Sequence, residues 1–368
     1  MFPPPTGSVP SVEQVRELDD SFFASDPLGY FHARIESLIA YAQGAVADYG
    51  TGLGDDYARH LGRQPHVMGA PPAGARELQV VVDALSLRQH AAESLIRLWL
   101  AVMQTRATTP GTVSVWVTMA DGKRSMIEVL KEIAKTDGAD DPEVVLALLL
   151  PRGLGGEFRT NARLRQAMSV AEEWLVHAET LLLRQDINAS AAHNKAKHGL
   201  AIRARSDLRV DFVTGPLPSR DGTLPVSAMQ NSVPIFDRPV LEYVARPPSK
   251  GKPGSGLELT QLRLDAATLL AETTMLATVH AAVFHVAAAR HAEWSPTTGA
   301  ISPYPTLPLG PSPTQLLGKA VTGMRYPITH LPDGTTTTRS RGIGFNHGVF
   351  LPFEFDDGVH ESVTLADG

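Results

Sequence analysis

The stretch AAHNKAKHGL (191–200) sets His193, Asn194, Lys195, Lys197 and His198 beside a run of alanines. Ammonium groups neutralise phosphate oxygens, and an imidazole changes charge near neutral pH. Arg184, Arg203, Arg205 and Arg209 extend the set. Residues 184–209 thus hold six basic residues against Asp186 and Asp207, a net of +4 in a chain whose total is −6. Arg184, Asn194, Lys195, Lys197, Arg203 and Arg205 are the candidate binding residues, for RNA, another phosphate-bearing ligand or a protein surface. His193 and His198 are the candidate acid and base for RNA cleavage. The alternative is structural. Cations near a helix C-terminus complement the macrodipole without any ligand, and His and Asn can bond carbonyls at a buried helix junction.

On a helix, at about 100° per residue, Ala189, Ala192, Ala196 and Leu200 fall within about 80° of one another. This narrow stripe of small residues suits close approach of another element. His193, Asn194, Lys197 and His198 cover the neighbouring arc of about 140°. Gly199 is placed to end the helix.

The segments SLRQHAAESLIRLWLAVMQ (86–104) and HNKAKHGL (193–200) resemble the HEPN-like helical domains of bacteria. The resemblance covers residues 75–205. Asn194, Lys195, Lys197 and His198 match the Asn-Lys-x-Lys-His-like element of a late helix. The nuclease members place Arg four to six residues before a His. Here eight residues separate Arg184 from His193, and no Arg precedes His198 at that distance. The resemblance implies a helical bundle with a polar cleft, often dimeric, and a metal-independent ribonuclease using His193 and His198 as one activity.

The elements that must position these residues are mostly helices. Ser11 with Gln14 reads as a capping box for a helix to about Phe23. Asp26-Pro27 opens a longer helix, to be ended by Gly50 and Gly52. Residues 75–106 carry apolar positions at steps of three and four, from Leu78 to Met103, and 157–190 repeat the pattern. Shorter helices are predicted over 123–135 and from Pro142 to about Pro151. The texture changes at Asp207: LRVDFVT (208–214) and RPVLEYVAR (238–246) alternate as half-buried strands do. PPSKGKPGSG (247–256) reads as a loop, and 257–294 as one long buried helix. The Pro- and Gly-rich last 74 residues should hold short strands, with Pro332-Asp333-Gly334 as a turn.

The expected fold is mainly α: an antiparallel helical bundle with a small inserted β element and a β-containing C-terminal region. It divides into the bundle (1–206), a hairpin-like insertion and loop (207–256), the long helix packing back on the bundle (257–294) and the C-terminal region (295–368). One integrated body is expected, and its alanine-rich faces suit a homodimer.

Composition removes several chemistries. The 368 residues include no cysteine, which excludes disulfides, thiolate metal sites and a Cys nucleophile, and fits a reducing cytoplasm. Thr273 to Ala289 is uncharged but only 17 residues long and holds His280 and His285, so it reads as a buried core helix and no membrane association is expected. His280 and His285 point about 140° apart, the wrong spacing for shared metal ligation. RGLGG (152–156), GKPGSG (251–256) and GIGFNHG (342–348) lack the phosphate-loop and dinucleotide spacings. Glu172-Glu173 and Asp356-Asp357 read as solvated pairs. No metal or cofactor is expected. The leading functional reading is a soluble, non-enzymatic protein with an interaction surface at 184–209.

Overall fold

Ser11 caps the first helix, α1 (Val12–Phe23), as the sequence predicts. Its hydroxyl accepts from the Gln14 amide at 3.3 Å, and the Gln14 side chain accepts from the Ser11 amide at 2.9 Å. Asp26 caps α2 (Pro27–Ala42), which has Pro at its start. That helix ends earlier than expected. Gly44 adopts φ +92°, a left-handed conformation that glycine takes without steric cost, and closes the chain there. The computed structural model describes residues 9–45, 51–62, 71–120, 125–136, 141–183, 189–198, 201–208, 210–213, 232–236, 239–246, 256–295, 299–318 and 323–329.

The next helices are α3 (Gly52–His60), α4 (Ala73–Arg106), α5 (Val115–Ala120), α6 (Met126–Ile133) and α7 (Pro142–Leu149). A 3₁₀ turn (Arg152–Leu154) leads into α8 (Gly155–Thr160), then α9 (Ala162–Leu183) and α10 (Ala189–Lys197). After five strands come α11 (Ala266–Trp294) and α12 (Pro313–Leu317). The fold is mainly α with a small antiparallel sheet.

The chain forms two compact units, where one body was expected. The first combines Met1–Arg184 with Ala266–Lys319, the second Gln185–Asp265 with Ala320–Gly368. The expected helix over 257–294 is also corrected. Its first residues form a strand, β5 (Glu258–Arg263), and the helix starts only at Ala266. Glu258, Thr260 and Leu262 alternate with Leu259, Gln261 and Arg263, a period of two that the long apolar run downstream obscures.

In the helical unit, α11 packs against α1, α2, α4, α7 and α9. Leu276, Ala277, Val279, Ala282, Val283 and Ala288 are fully buried. On α4, which packs along α11, Ala84, Ala91, Ala92 and Ala101 are equally inaccessible. Phe22 and Phe23 close one end, each with its ring centroid 5.2 to 5.3 Å from that of Phe284. By length and composition α11 could cross a membrane, but most of its apolar stretch is buried inside this unit.

Polar groups on this central helix find partners from its neighbours. Glu272 lies between Arg88 of α4, at 3.0 Å, and His177 of α9, at 2.9 Å. Burial alone would raise the Glu272 pKa, but the Arg88 charge and the hydrogen bonds from His177 and Arg88 outweigh it and hold the carboxyl below its usual value. His291 meets Asp20 at 2.7 Å, and His285 meets the Ser302 carbonyl at 2.7 Å. His280 differs. Its ring stacks on Phe284, and its Nδ1 has no hydrogen-bond partner among the described residues. Burial, with a smaller push from His90, lowers its pKa from 6.5 to about 4.

In the second unit, β1 (Arg203–Arg205), β4 (Val240–Ala245), β5 and β6 (Gly323–Pro327) form an antiparallel sheet in the order β1-β4-β5-β6. A separate hairpin pairs β2 (Val210–Val213) with β3 (Ser232–Phe236). The strands expected over 208–214 and 238–246 correspond to β2 and β4. The turn expected at Pro332-Asp333-Gly334, the Asp356-Asp357 pair and GIGFNHG lie outside the described residues.

Glu272→Gln leaves Arg88 charged in a dry interior and should lower unfolding free energy by about 3 to 5 kcal/mol in urea titrations. A depressed carboxyl loses its stabilising effect as pH falls, so wild type should weaken below pH 4.5 by a component absent from the variant. The His280 pKa is lowered on folding, so the unfolded chain binds that proton first and stability falls between pH 6.5 and about 4. The loss is about 3 kcal/mol. His280→Leu should abolish this part of the acid sensitivity in denaturant titrations across that range.

Candidate functional site

The alanine stripe decides how α10 sits. Ala189 and Ala192 are buried, and the helix packs against β4 in the second unit. With that side inward, Asn194, Lys197 and His198 are exposed, while His193, Lys195 and Ala196 are half-buried. The helix closes with the His198 amide donating to the Asn194 carbonyl at 2.9 Å and the Ala201 amide to the Lys195 carbonyl at 3.1 Å. Lys195 and Lys197 therefore stand in the last turn, where the carbonyl ends attract positive charge. No carboxylate pairs with either ammonium group among the described residues. Gly199, Leu200, Arg184 and Arg209, all named from the sequence, lie outside the described residues.

The two histidines are not brought together. Five residues of helix turn them about 140° apart. His193 points toward the buried side, with Nδ1 out of contact with solvent, while the His198 ring is exposed beyond the last helical residue. A substrate atom held between them would have to reach around the helix.

β1 carries the two arginines. It pairs with β4 so that Arg203 lies across from Glu242 and Arg205 across from Val240. Alternation places both arginines, Glu242, Gln261 and Met324 on one face of the sheet. Arg205 is already neutralised. Its guanidinium donates to both Asp207 oxygens at 2.6 and 2.8 Å and lies 3.7 Å from Glu242. The bond to Asp207 raises the Arg205 pKa, and the same bond lowers that of Asp207. Internal carboxylates thus remove Arg205 from the open cationic set expected from sequence. Arg203 is exposed and feels Asp207 only through space.

Sequence reading misses Glu242. It is buried and also accepts from the Gln261 amide at 2.7 Å. The available signal is one acid inside the apolar strand VLEYVA, which in a buried strand requires a donor opposite. A second set also escapes sequence reading. Arg106, Arg152 and Arg290 converge on one cleft of the helical unit from positions far apart in the chain. No group of three or more His, Asp or Glu residues is placed to hold a metal among the described residues.

Comparison with protein-family models, curated proteins and solved structures finds no match for this chain.

The stripe is testable. Ala192 is fully buried where α10 meets its neighbour, so Ala192→Leu overfills the contact. The substitution should cost about 1 to 3 kcal/mol. Ala191→Leu, on the half-buried flank, should cost less. Thermal unfolding of both variants measures the difference.

Proposed function

We propose that the protein is a non-enzymatic binder of phosphate-bearing partners, engaging them through the outer arc of α10. Asn194, Lys197 and His198 form the exposed contact, with Lys195 at its margin and Arg203 as a further cation in the same unit. The observation that carries this reading is the pair of lysine charges in the last turn of α10 without a carboxylate partner among the described residues. Flexible lysines reach phosphate oxygens as point charges and impose little geometry, so the expected binding tolerates sequence and weakens with salt. Single-stranded RNA fits this chemistry without any base-reading pocket. The ribonuclease implied by the HEPN resemblance finds less support, because His193 and His198 diverge.

The experiment is a fluorescence-anisotropy titration of labelled single-stranded RNA at two salt concentrations. Wild type should bind with a negative slope of log affinity against log salt. Lys195→Glu/Lys197→Glu should weaken binding at least tenfold and flatten the slope by about 1.4, roughly 0.7 for each phosphate no longer neutralised. Unchanged affinity in the double variant overturns the reading. RNA cleavage that disappears in a folded His198→Ala variant would favour the ribonuclease instead.

A further inference from the structure

The helical unit contains an open cleft of about 1090 Å³ between the ends of α4, α7 and α11 and the start of α8. Four arginines line it. Arg106 is the last residue of α4, Arg152 opens the 3₁₀ turn after α7, Arg159 lies on α8, and Arg290 projects from the last turns of α11. Three helix C-termini meet here, and their unsatisfied carbonyls attract cations. That attraction accounts for only part of the set. Arg290 donates one nitrogen to the Ala147 carbonyl at 2.6 Å, in the last turn of α7. Arg106 and Arg159 donate to no carbonyl and no carboxylate among the described residues.

The acids of the cleft answer these charges only in part. Glu293 is engaged by Arg152 at 2.8 Å. Asp19 is buried and turned to other work: it accepts from the Ser114 hydroxyl at 2.6 Å and from the Val115 and Trp116 amides at 3.1 Å, capping α5. Burial raises the Asp19 pKa despite those bonds. Glu143, in the first turn of α7, also lines the cleft and is the remaining carboxylate. His291 is tied to Asp20. Arg106, Arg159 and Arg290 therefore face the space without an ion-pair partner among the described residues. Burial first, then the charges of Arg106 and Arg152, lower the Arg290 pKa, and the opposing charge of Glu293 only partly offsets them. Two half-buried aromatic rings, Phe158 and Trp294, line the same cleft.

We propose that this cleft binds a nucleotide-class ligand, with its phosphates against Arg106, Arg159 and Arg290 and its planar ring against Trp294 or Phe158. Guanidinium forks match phosphate oxygens in pairs and hold them with direction, which the lysines of α10 cannot do. The volume is ample for a small organic molecule. The aromatic walls give a nucleobase ring a stacking surface. This site lies wholly within the helical unit, whereas α10 belongs to the other unit.

The experiment is isothermal titration calorimetry of the full chain with ATP, and separately with inorganic pyrophosphate. Saturable ATP binding is expected, with pyrophosphate binding more weakly and competing. Arg106→Met/Arg159→Met changes two exposed side chains and should weaken ATP at least tenfold while the melting temperature is retained. Trp294→Leu/Phe158→Leu should bring ATP affinity close to that of pyrophosphate, and Arg106→Glu alone gives a second reading should the double arginine variant misfold. Lys195→Glu/Lys197→Glu should leave ATP binding intact. Absence of saturable ATP binding, binding that survives loss of both arginines, or binding lost only in the lysine variant overturns the proposal.

Discussion

α11 has apolar side chains on almost every side, and a helix of that kind must be covered on every side. The helical unit is the solution to that constraint. The helices around α11 cover it, and α4 runs along it. The same constraint governs polarity. Any polar group on α11 loses water and must find a partner in the surrounding helices. Glu272, His285 and His291 do so. The His280 Nδ1 does not, among the described residues, and burial keeps the ring neutral. Near its end α11 leaves this enclosure. There Arg290 and Trp294 enter the open cleft, so the core of the unit and its cleft share a helix.

The second unit works on another scale. Charges of its sheet are answered in place. Arg205 is bound by Asp207 and approached by Glu242, and Arg325 lies 3.8 Å from Glu258 inside the sheet. Against that pattern the lysines of α10 are unusual. The helix settles by its alanines, and its charged arc is left to solvent. Charges on strands have cross-strand neighbours that can answer them, whereas the outer side of a docked helix has none.

Elements with strong local signals are legible in the sequence. The capping box at Ser11, the Pro27 start, the long amphipathic helix α4 and the alternation in β4 all stand where the pattern places them. The misses have physical causes. β5 reads as helix because an apolar helix of 29 residues follows it closely. α3 and α5 are short, and α5 is capped by Asp19 from α1, a partner distant in sequence. The alanine stripe predicts the buried side of α10, and with it which candidates face out. The main partner of Arg205, Asp207, stands two positions away in the sequence, but Glu242 lies 37 positions away and meets the guanidinium only through strand pairing. The cleft arginines are invisible for the same reason: residues 106, 152, 159 and 290 share no local pattern.

The central claim is that the outer arc of α10 is the surface a phosphate-bearing partner touches. Lysine acetylation of the native protein, read by mass spectrometry with and without bound single-stranded RNA, tests it most directly. The account predicts that Lys197 reacts readily in the free protein, that Lys195 reacts more slowly, and that RNA protects both. RNA that binds while both lysines react at undiminished rates, or a Lys197 that resists the reagent in the free protein, would contradict it.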